Sequence, residues 1–419
     1  MNQKPPKQKI FTGYQVFVIA ILAFLQFTIV LDFMVLSPLS AILLDELTIT
    51  TAEFGLVVSA YAFSAGASGL MASGFADKYD RKKLLLFFYT GFIVGTFLCG
   101  IAPNYQFLMF ARIVTGIFGG VIGSIIYAII TDLFIMEKRG RVMGFVQMAF
   151  ATSQILGIPF GLWLANHFGW HSPFLLIVGL STVVYFIILF RLKPIDAHLS
   201  LQTKKNPFVH MKQTISNKTY LKGFSVTTLL ATGGFMLMPF GAAYSVNNLG
   251  ITLDQLPIVY MVTGVFSMVA GPLAGKISDS IGKYRVFWMG STLAIIIILI
   301  YTNLGITPLS VVIILSVFMF IGITSRMVAS QALLTAIPEP QDRGAFMGIN
   351  SSVMQISGGI ASAIAGMIVL QGDDGKLQHY PLLGYVVSFT VVLTIIMMYF
   401  INKMVQHKNI KAPEEAVAA

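Results

Sequence analysis

Residues 142–190, VMGFVQMAFATSQILGIPFGLWLANHFGWHSPFLLIVGLSTVVYFIILF, run from Arg141 to Arg191 without a single Asp, Glu, Lys or Arg. A helix needs ~20 apolar residues to cross a ~30 Å hydrocarbon layer, so the stretch is long enough for two crossings. It is broken at His167-Phe168-Gly169-Trp170-His171-Ser172-Pro173, where glycine, serine and proline favour a turn. Two membrane helices joined by a short loop are therefore predicted. Arg285 to Arg326 repeats the pattern, with its break at Thr302-Asn303-Leu304-Gly305-Ile306-Thr307-Pro308. Glu53 to Asp77, Lys222 to Asp254, Asp254 to Lys276 and Arg343 to Asp373 are charge-free intervals of single length.

With single charges allowed at Asp32 and Arg112, twelve spans are predicted, near 14–43, 54–76, 84–102, 106–134, 142–166, 173–191, 221–246, 256–276, 286–302, 308–335, 344–370 and 382–402. Composition agrees: 56% of the 419 residues are hydrophobic and 11% charged, with a mean hydropathy of +0.82. Such a chain cannot clothe itself in a water-facing surface, which excludes a soluble enzyme, a disordered chain and a secreted disulfide scaffold. Cys99 is the only cysteine, so an intramolecular disulfide and a cysteine metal site are excluded too. The arm bearing Lys4, Lys7 and Lys9 precedes an apolar run from Ile10 to Leu31 that resumes past Asp32 to Leu44. That run exceeds the ~7–15 residues of a signal-peptide core, so it is expected to be retained as span 1.

The net charge of +10 would fit a nucleic-acid binder only if the charge were clustered on a polar face. Instead the arm holds 3 basic residues, the connections after spans 2, 4, 6, 8 and 10 hold 4, 3, 7, 3 and 1, and the tail holds 3. Lys376 alone lies in a connection on the opposite side. The positive-inside rule then predicts cytoplasmic N- and C-termini. The basic excess is a topology signal, and no nucleic-acid partner is expected.

The polar segment from Arg191 to Lys222, with seven basic residues and one acid, Asp196, divides the spans six and six. A shift of 202 brings Leu47-Thr48-Ile49-Thr50 onto Leu249-Gly250-Ile251-Thr252, and Gly69, Ala72 and Asp77 onto Gly271, Ala274 and Asp279. At a shift of 204, Arg139-Gly140-Arg141-Val142-Met143-Gly144 matches Arg343-Gly344-Ala345-Phe346-Met347-Gly348. Matches held nearly in register indicate duplication. The fold class is an all-α membrane protein, with twelve transmembrane helices in two pseudo-symmetric six-helix bundles flanking a pathway. The predicted divisions are 10–192 and 221–404 for the bundles, 193–220 for a cytoplasmic linker and 405–419 for a cytoplasmic tail.

Ser73-Gly74-Phe75-Ala76-Asp77-Lys78-Tyr79-Asp80-Arg81-Lys82 resembles the loop signature of the major facilitator superfamily, and Gly275-Lys276-Ile277-Ser278-Asp279-Ser280-Ile281-Gly282-Lys283 is its second copy. Ser73 and Asp80 stand where that signature has glycines. Leu108-Met109-Phe110-Ala111-Arg112-Ile113-Val114-Thr115-Gly116 resembles the fourth-helix motif. Gly157-Ile158-Pro159-Phe160-Gly161 is similar to the fifth-helix Gly-Pro motif of the proton-driven drug and metabolite exporters, with one extra residue between glycine and proline. The resemblance implies a transporter of the bacterial inner membrane working by alternating access. It implies no cofactor, the proton gradient as energy source, and a small-molecule substrate and protons as partners in the lipid bilayer. A monomer is expected.

Ionised groups in hydrocarbon are costly, so Asp32 and Arg112 demand a reason. Counted from the outer ends of spans 1 and 4, their depths differ by ~7 Å at ~1.5 Å per residue, within reach of long side chains. Asp32 is either a carboxyl that binds and releases a proton, with Arg112 favouring its charged form against desolvation, or half of a static pair that fixes packing. The resemblance ties the Arg112 position to coupling. Arg326, in span 10, either binds an anionic substrate group or a carboxyl partner, or snorkels toward the cytoplasm.

By resemblance, Asp77 caps the start of span 11 near Gly344 and Arg81 bridges it to Asp132, latching the halves together when the site faces outward. Asp279 does the same against span 5 near Arg141, but with Lys283 in the Arg81 position and Ala336 where an acid would be needed, so the latch is expected to be asymmetric; Arg139 and Arg343 are further latch candidates. The other reading is a row of solvated loop charges. Gly157, Pro159 and Gly161 form either a hinge or a close-packing surface against span 8, where Gly271-Pro272 and Gly275 also offer small surfaces. Gln26, Tyr61, Gln147, Gln154, Phe235, Met236, Tyr244, Tyr260, Asn350 and Gln355 are the candidate pathway residues. Against spans otherwise rich in Met, Phe and aliphatic residues these hydrogen-bonding groups are few, and a mostly apolar cavity suits a small amphipathic compound better than a sugar.

Export of such a compound in exchange for protons is the expected function. Inward proton symport or facilitated uptake of a nutrient, and a non-transporting membrane sensor, are the rivals. An enzyme is not expected, since no zinc-binding His pair, nucleophile elbow or phosphate loop is present.

Overall fold

In the computed structural model, which describes residues 11–72, 78–196, 199, 207–339 and 342–417, twelve helices are long and apolar enough to cross a membrane. They are Gly13–Val35, Thr51–Ala72, Arg81–Gly100, Tyr105–Leu133, Lys138–Phe168, Ser172–Arg191, Lys218–Asn247, Leu256–Ile281, Lys283–Tyr301, Leu309–Leu334, Arg343–Ile368 and Tyr380–Gln406, here spans 1 to 12. Spans 1–6 and 7–12 form two bundles. Large apolar side chains point outward from both, Phe168, Phe190 and Met367 among the most exposed. Only a lipid solvent accommodates so much apolar surface facing out.

Local chemistry sets the ends. Thr12 and Gln15 form a capping box at the start of span 1, and Asn104 Oδ1 accepts the Phe107 N–H at 3.0 Å to start span 4. Asp80 Oδ1 accepts the Lys83 N–H at 3.0 Å, so the residue that departs from the loop signature caps span 3. In the stretch from Arg141 to Arg191, Gly169 (φ +84°) ends span 5 and Pro173 sits in the first turn of span 6.

Three features differ from the sequence expectation. Span 1, predicted to residue 43, stops at Val35, and a short helix, Ser40–Glu46, follows. Pro38 lacks the N–H that a continuous helix would need. The second half does the same: span 7 breaks around Pro239 before the short helix Gly241–Asn247. Span 5 contains a π turn at Ser153–Gly157. A π turn holds one residue more than an α turn, and it lies next to the extra residue of Gly157-Ile158-Pro159. Between spans 11 and 12 a small hairpin pairs Leu370–Gln371 with Leu377–Gln378.

Within the first bundle, spans 2 and 4 approach to backbone contact. A Cβ on Gly120 would stand 2.5 Å from Ala65 Cα. Gly120→Val is expected to prevent this packing, and size-exclusion chromatography should show aggregated rather than monodisperse protein; a wild-type profile with wild-type thermal stability would contradict it.

The bundles meet along two seams. At the end opposite the basic loops, called the far end, Thr51 Oγ1 donates to Val369 O and Ser59 Oγ donates to Gly359 O at 2.7 Å. The Ala243 N–H donates to Ser40 Oγ at 3.1 Å, joining the two short helices, and Asn166 Nδ2 donates to Leu253 O at 2.9 Å. Span 2 stays close to span 11 as far as Gly69, whose Cβ position is 3.4 Å from Ser352 Oγ. Spans 5 and 8 touch at Ile155 and Gly264. Toward the basic end they part: Gly271 and Gly275 have only Thr324 and Val328 of their own bundle nearby, and Arg141, Gln147 and Asp279 are exposed. The molecule is sealed at the far end and open between spans 5 and 8 at the basic end.

Candidate functional site

Asp32 and Arg112 meet inside the first bundle, 0% and 1% exposed. Arg112 Nη1 donates to Asp32 Oδ2 at 2.9 Å and to the Asp32 carbonyl at 3.4 Å. Thr96 Oγ1, from span 3, donates to Asp32 Oδ1 at 3.2 Å. The pair is held through a single guanidinium nitrogen, and Arg112 Nε is buried without a partner among the described residues. A bidentate fork would be the stronger arrangement. A proton arriving on Asp32 would remove the anion that holds Arg112.

The pair faces the second bundle through aromatic rings. The Arg112 guanidinium lies 4.5 Å from the Tyr61 ring centroid. Tyr61 packs on Phe33 with centroids 5.5 Å apart, and Phe33 on Phe235 of span 7 at 5.7 Å. Phe235 in turn fills the space over Gly358 of span 11. The buried charges and the bundle interface are thus linked by consecutive contacts. Thr96 and Phe33 were not singled out in the sequence. Thr96 is the one hydroxyl in the apolar run Phe92–Gly100, a faint signal, while Phe33 has none among 34 phenylalanines.

Arg326 is 4% exposed, and its Nε and Nη2 lack hydrogen-bond partners among the described residues. It lies near the Phe287 ring, 5.9 Å from the centroid. It is therefore held in the bundle, and its guanidinium does not reach the basic surface.

The other candidates are dispersed. Gln26, Gln154, Tyr260 and Gln355 are half-buried, and Gln147 is exposed at the open mouth. Gln355 lies on the seam beside Gly66. Asn350 Oδ1 accepts from Thr227 Oγ1 at 2.6 Å, tying span 11 to span 7. Met236 is buried. Tyr244 is held inside the second bundle at its far end, donating to Leu304 O at 2.8 Å and stacked on Tyr380 with centroids 3.9 Å apart. Gly157 gives room to Leu31, and Gly161 to Val35, both of span 1. This segment therefore packs closely on span 1, while Ile155, within the π turn, makes the contact with span 8. Pro159 is buried.

At the basic end Arg81 Nε bonds Asp132 Oδ2 at 3.0 Å, clamping the start of span 3 to the end of span 4. Asp77 lies outside the described residues. Arg139 caps span 4, its Nε donating to Phe134 O at 2.9 Å and its Nη2 to Thr131 O at 2.7 Å. Arg343 and Asp279 are exposed and Lys283 is half-buried. No ion pair among the described residues joins Asp279 to Arg141, as expected where the seam has parted.

The sequence model described as Major Facilitator Superfamily matches residues 22–328 and 223–418. The chain is similar to the uncharacterized MFS-type transporter YceJ of Bacillus subtilis (strain 168), 26% identical over 377 residues, covering 89% of this chain and 92% of the relative. It is 23% identical to Multidrug resistance protein 2 of the same organism, covering 82% of this chain and 85% of the relative. Among solved structures, the nucleoside transporter NupG superposes with a TM-score of 0.73 at 13% identity, covering 92% of this chain and 99% of NupG.

Proposed function

The chain belongs to the Major Facilitator Superfamily, and on that premise we propose that it is a proton-driven exporter of a small amphipathic organic compound, acting as a monomer by alternating access. The basic loops lie in the cytoplasm of a bacterial plasma membrane, so the opening between spans 5 and 8 is the cytoplasmic mouth. The observation that carries the reading is the Asp32–Arg112 pair, fully buried, joined through one nitrogen and linked by Tyr61 and Phe33 to Phe235 of the other bundle. Asp32 takes up a proton while the far end is open. This frees Arg112, the aromatic contacts rearrange, the far-end seam closes and the proton leaves to the cytoplasm. The re-formed Asp32–Arg112 pair then marks the form that loads cargo and carries it outward. Cargo enters from the cytoplasmic mouth among Gln147, Gln154, Phe235 and Gln355. The name of Multidrug resistance protein 2 is in keeping with a drug-like, amphipathic cargo.

Purified protein in vesicles tests this: an inwardly or outwardly directed pH gradient should drive accumulation of an amphipathic dye in opposite senses, and flux indifferent to the gradient would contradict proton coupling. Arg81→Ala should loosen the clamp on Asp132 and shift the balance of inward- and outward-open forms. Cysteines placed on the far rim report this cleanly, because Cys99 is buried. Labelling rates equal to wild type would count against a latch role for Arg81.

A further inference from the structure

Arg326 holds a positive charge that the described residues do not balance. None of the ion pairs among those residues includes it, and Nε and Nη2 are sealed from solvent without a hydrogen-bond partner. An uncompensated cation inside a membrane bundle is strongly unfavourable, so some state of the protein must supply its counter-charge. Nε and Nη2 are the two nitrogens of one edge of the guanidinium, the edge whose parallel N–H bonds match the two oxygens of a carboxylate. Around it stand the Phe287 ring, 5.9 Å to the centroid, and, near Nη1, Gly233 with Val391 and Thr390. The next residue of span 7, Gly234, is exposed and has nothing within 4 Å of its Cβ position.

We propose that Arg326 binds the carboxylate of the transported compound, which makes the cargo an amphipathic organic anion. This rests on the transport reading above. The apolar neighbours favour a cargo whose anionic head is attached to an aromatic or aliphatic body.

Thermal unfolding of the purified full chain tests the proposal with benzoate, 2-naphthoate, benzamide, benzylamine and sodium chloride as probes. The carboxylates should raise Tm, while benzamide and benzylamine should not. Arg326→Gln should abolish the response, and Arg326→Lys should retain it with about tenfold weaker affinity, since the fork geometry is lost. Without ligand, Arg326→Gln should be as stable as wild type or more so, because it removes an unbalanced charge; a purely structural arginine would give the reverse. The proposal is overturned by equal carboxylate responses in wild type and Arg326→Gln, by no response to either carboxylate, or by chloride alone producing the shift. Asp32→Asn separates the two readings: carboxylate binding persists in it even if flux proves independent of protons.

Discussion

Asp32→Asn should reduce pH-gradient-driven flux to the level of protein-free vesicles. The carboxamide keeps an acceptor for Arg112 and Thr96 but cannot take up or release a proton, so the step that selects which side opens is lost. It also leaves Arg112 buried without its anion, a situation that costs ~3–5 kcal/mol when one member of a buried pair is removed. A lowered Tm should therefore accompany the loss of flux. Asp32→Asn combined with Arg112→Gln removes both charges and should recover stability without recovering flux. That combination separates a coupling role from a packing role: if the static pair were the whole story, stability and transport would return together.

Gly366→Leu should trap the protein with its far end open. A Cβ at this position would stand 2.7 Å from Thr51 O and 3.1 Å from Ala52 Cα, and Gly55 opposite it is equally tight against Ser362 O at 2.8 Å. The overlap, ~1–3 kcal/mol for overpacked sites, falls only on the state in which spans 2 and 11 are closed. The ratio of far-end-open to sealed molecules should rise on the order of tenfold, since each ~1.4 kcal/mol commands that factor. A cysteine introduced at Glu46 would be labelled correspondingly faster, and net transport would fall. Unchanged labelling with unchanged transport would mean that the seam does not move.

The crossings were legible because charge is excluded from hydrocarbon over whole helices, and that exclusion leaves long gaps between Asp, Glu, Lys and Arg. The same rule picked out Asp32 and Arg112 as exceptions, and the structure brings them together. It could not show Arg112 Nε or the edge of Arg326 left bare, because partner geometry depends on packing between distant segments. The break at Pro38 carried a local signal, a proline within a predicted span, which the run of apolar residues around it outweighed. The π turn at Ser153–Gly157 was visible only as an extra residue in a motif. Tyr244 illustrates the limit of reading polar residues as pathway-facing: a tyrosine ring stacks in a core as readily as in a cavity, and its hydroxyl found carbonyls at the end of span 9. Thr96 and Phe33 act through neighbours on other helices, which spacing along one helix cannot reveal.

Spin labels at Phe145 and Met268 report the mouth between spans 5 and 8, and labels at Glu46 and Asp374 report the far end. Pulsed electron-electron distances from both pairs, measured at two pH values on wild type and on Asp32→Asn, test the rocking of the bundles most directly. Proton-selected alternation predicts that in wild type one distance lengthens as the other shortens when pH is changed, and that Asp32→Asn shows one fixed distribution at both values. Mouth and far-end distances that change together, or a pH response that survives in Asp32→Asn, would contradict it.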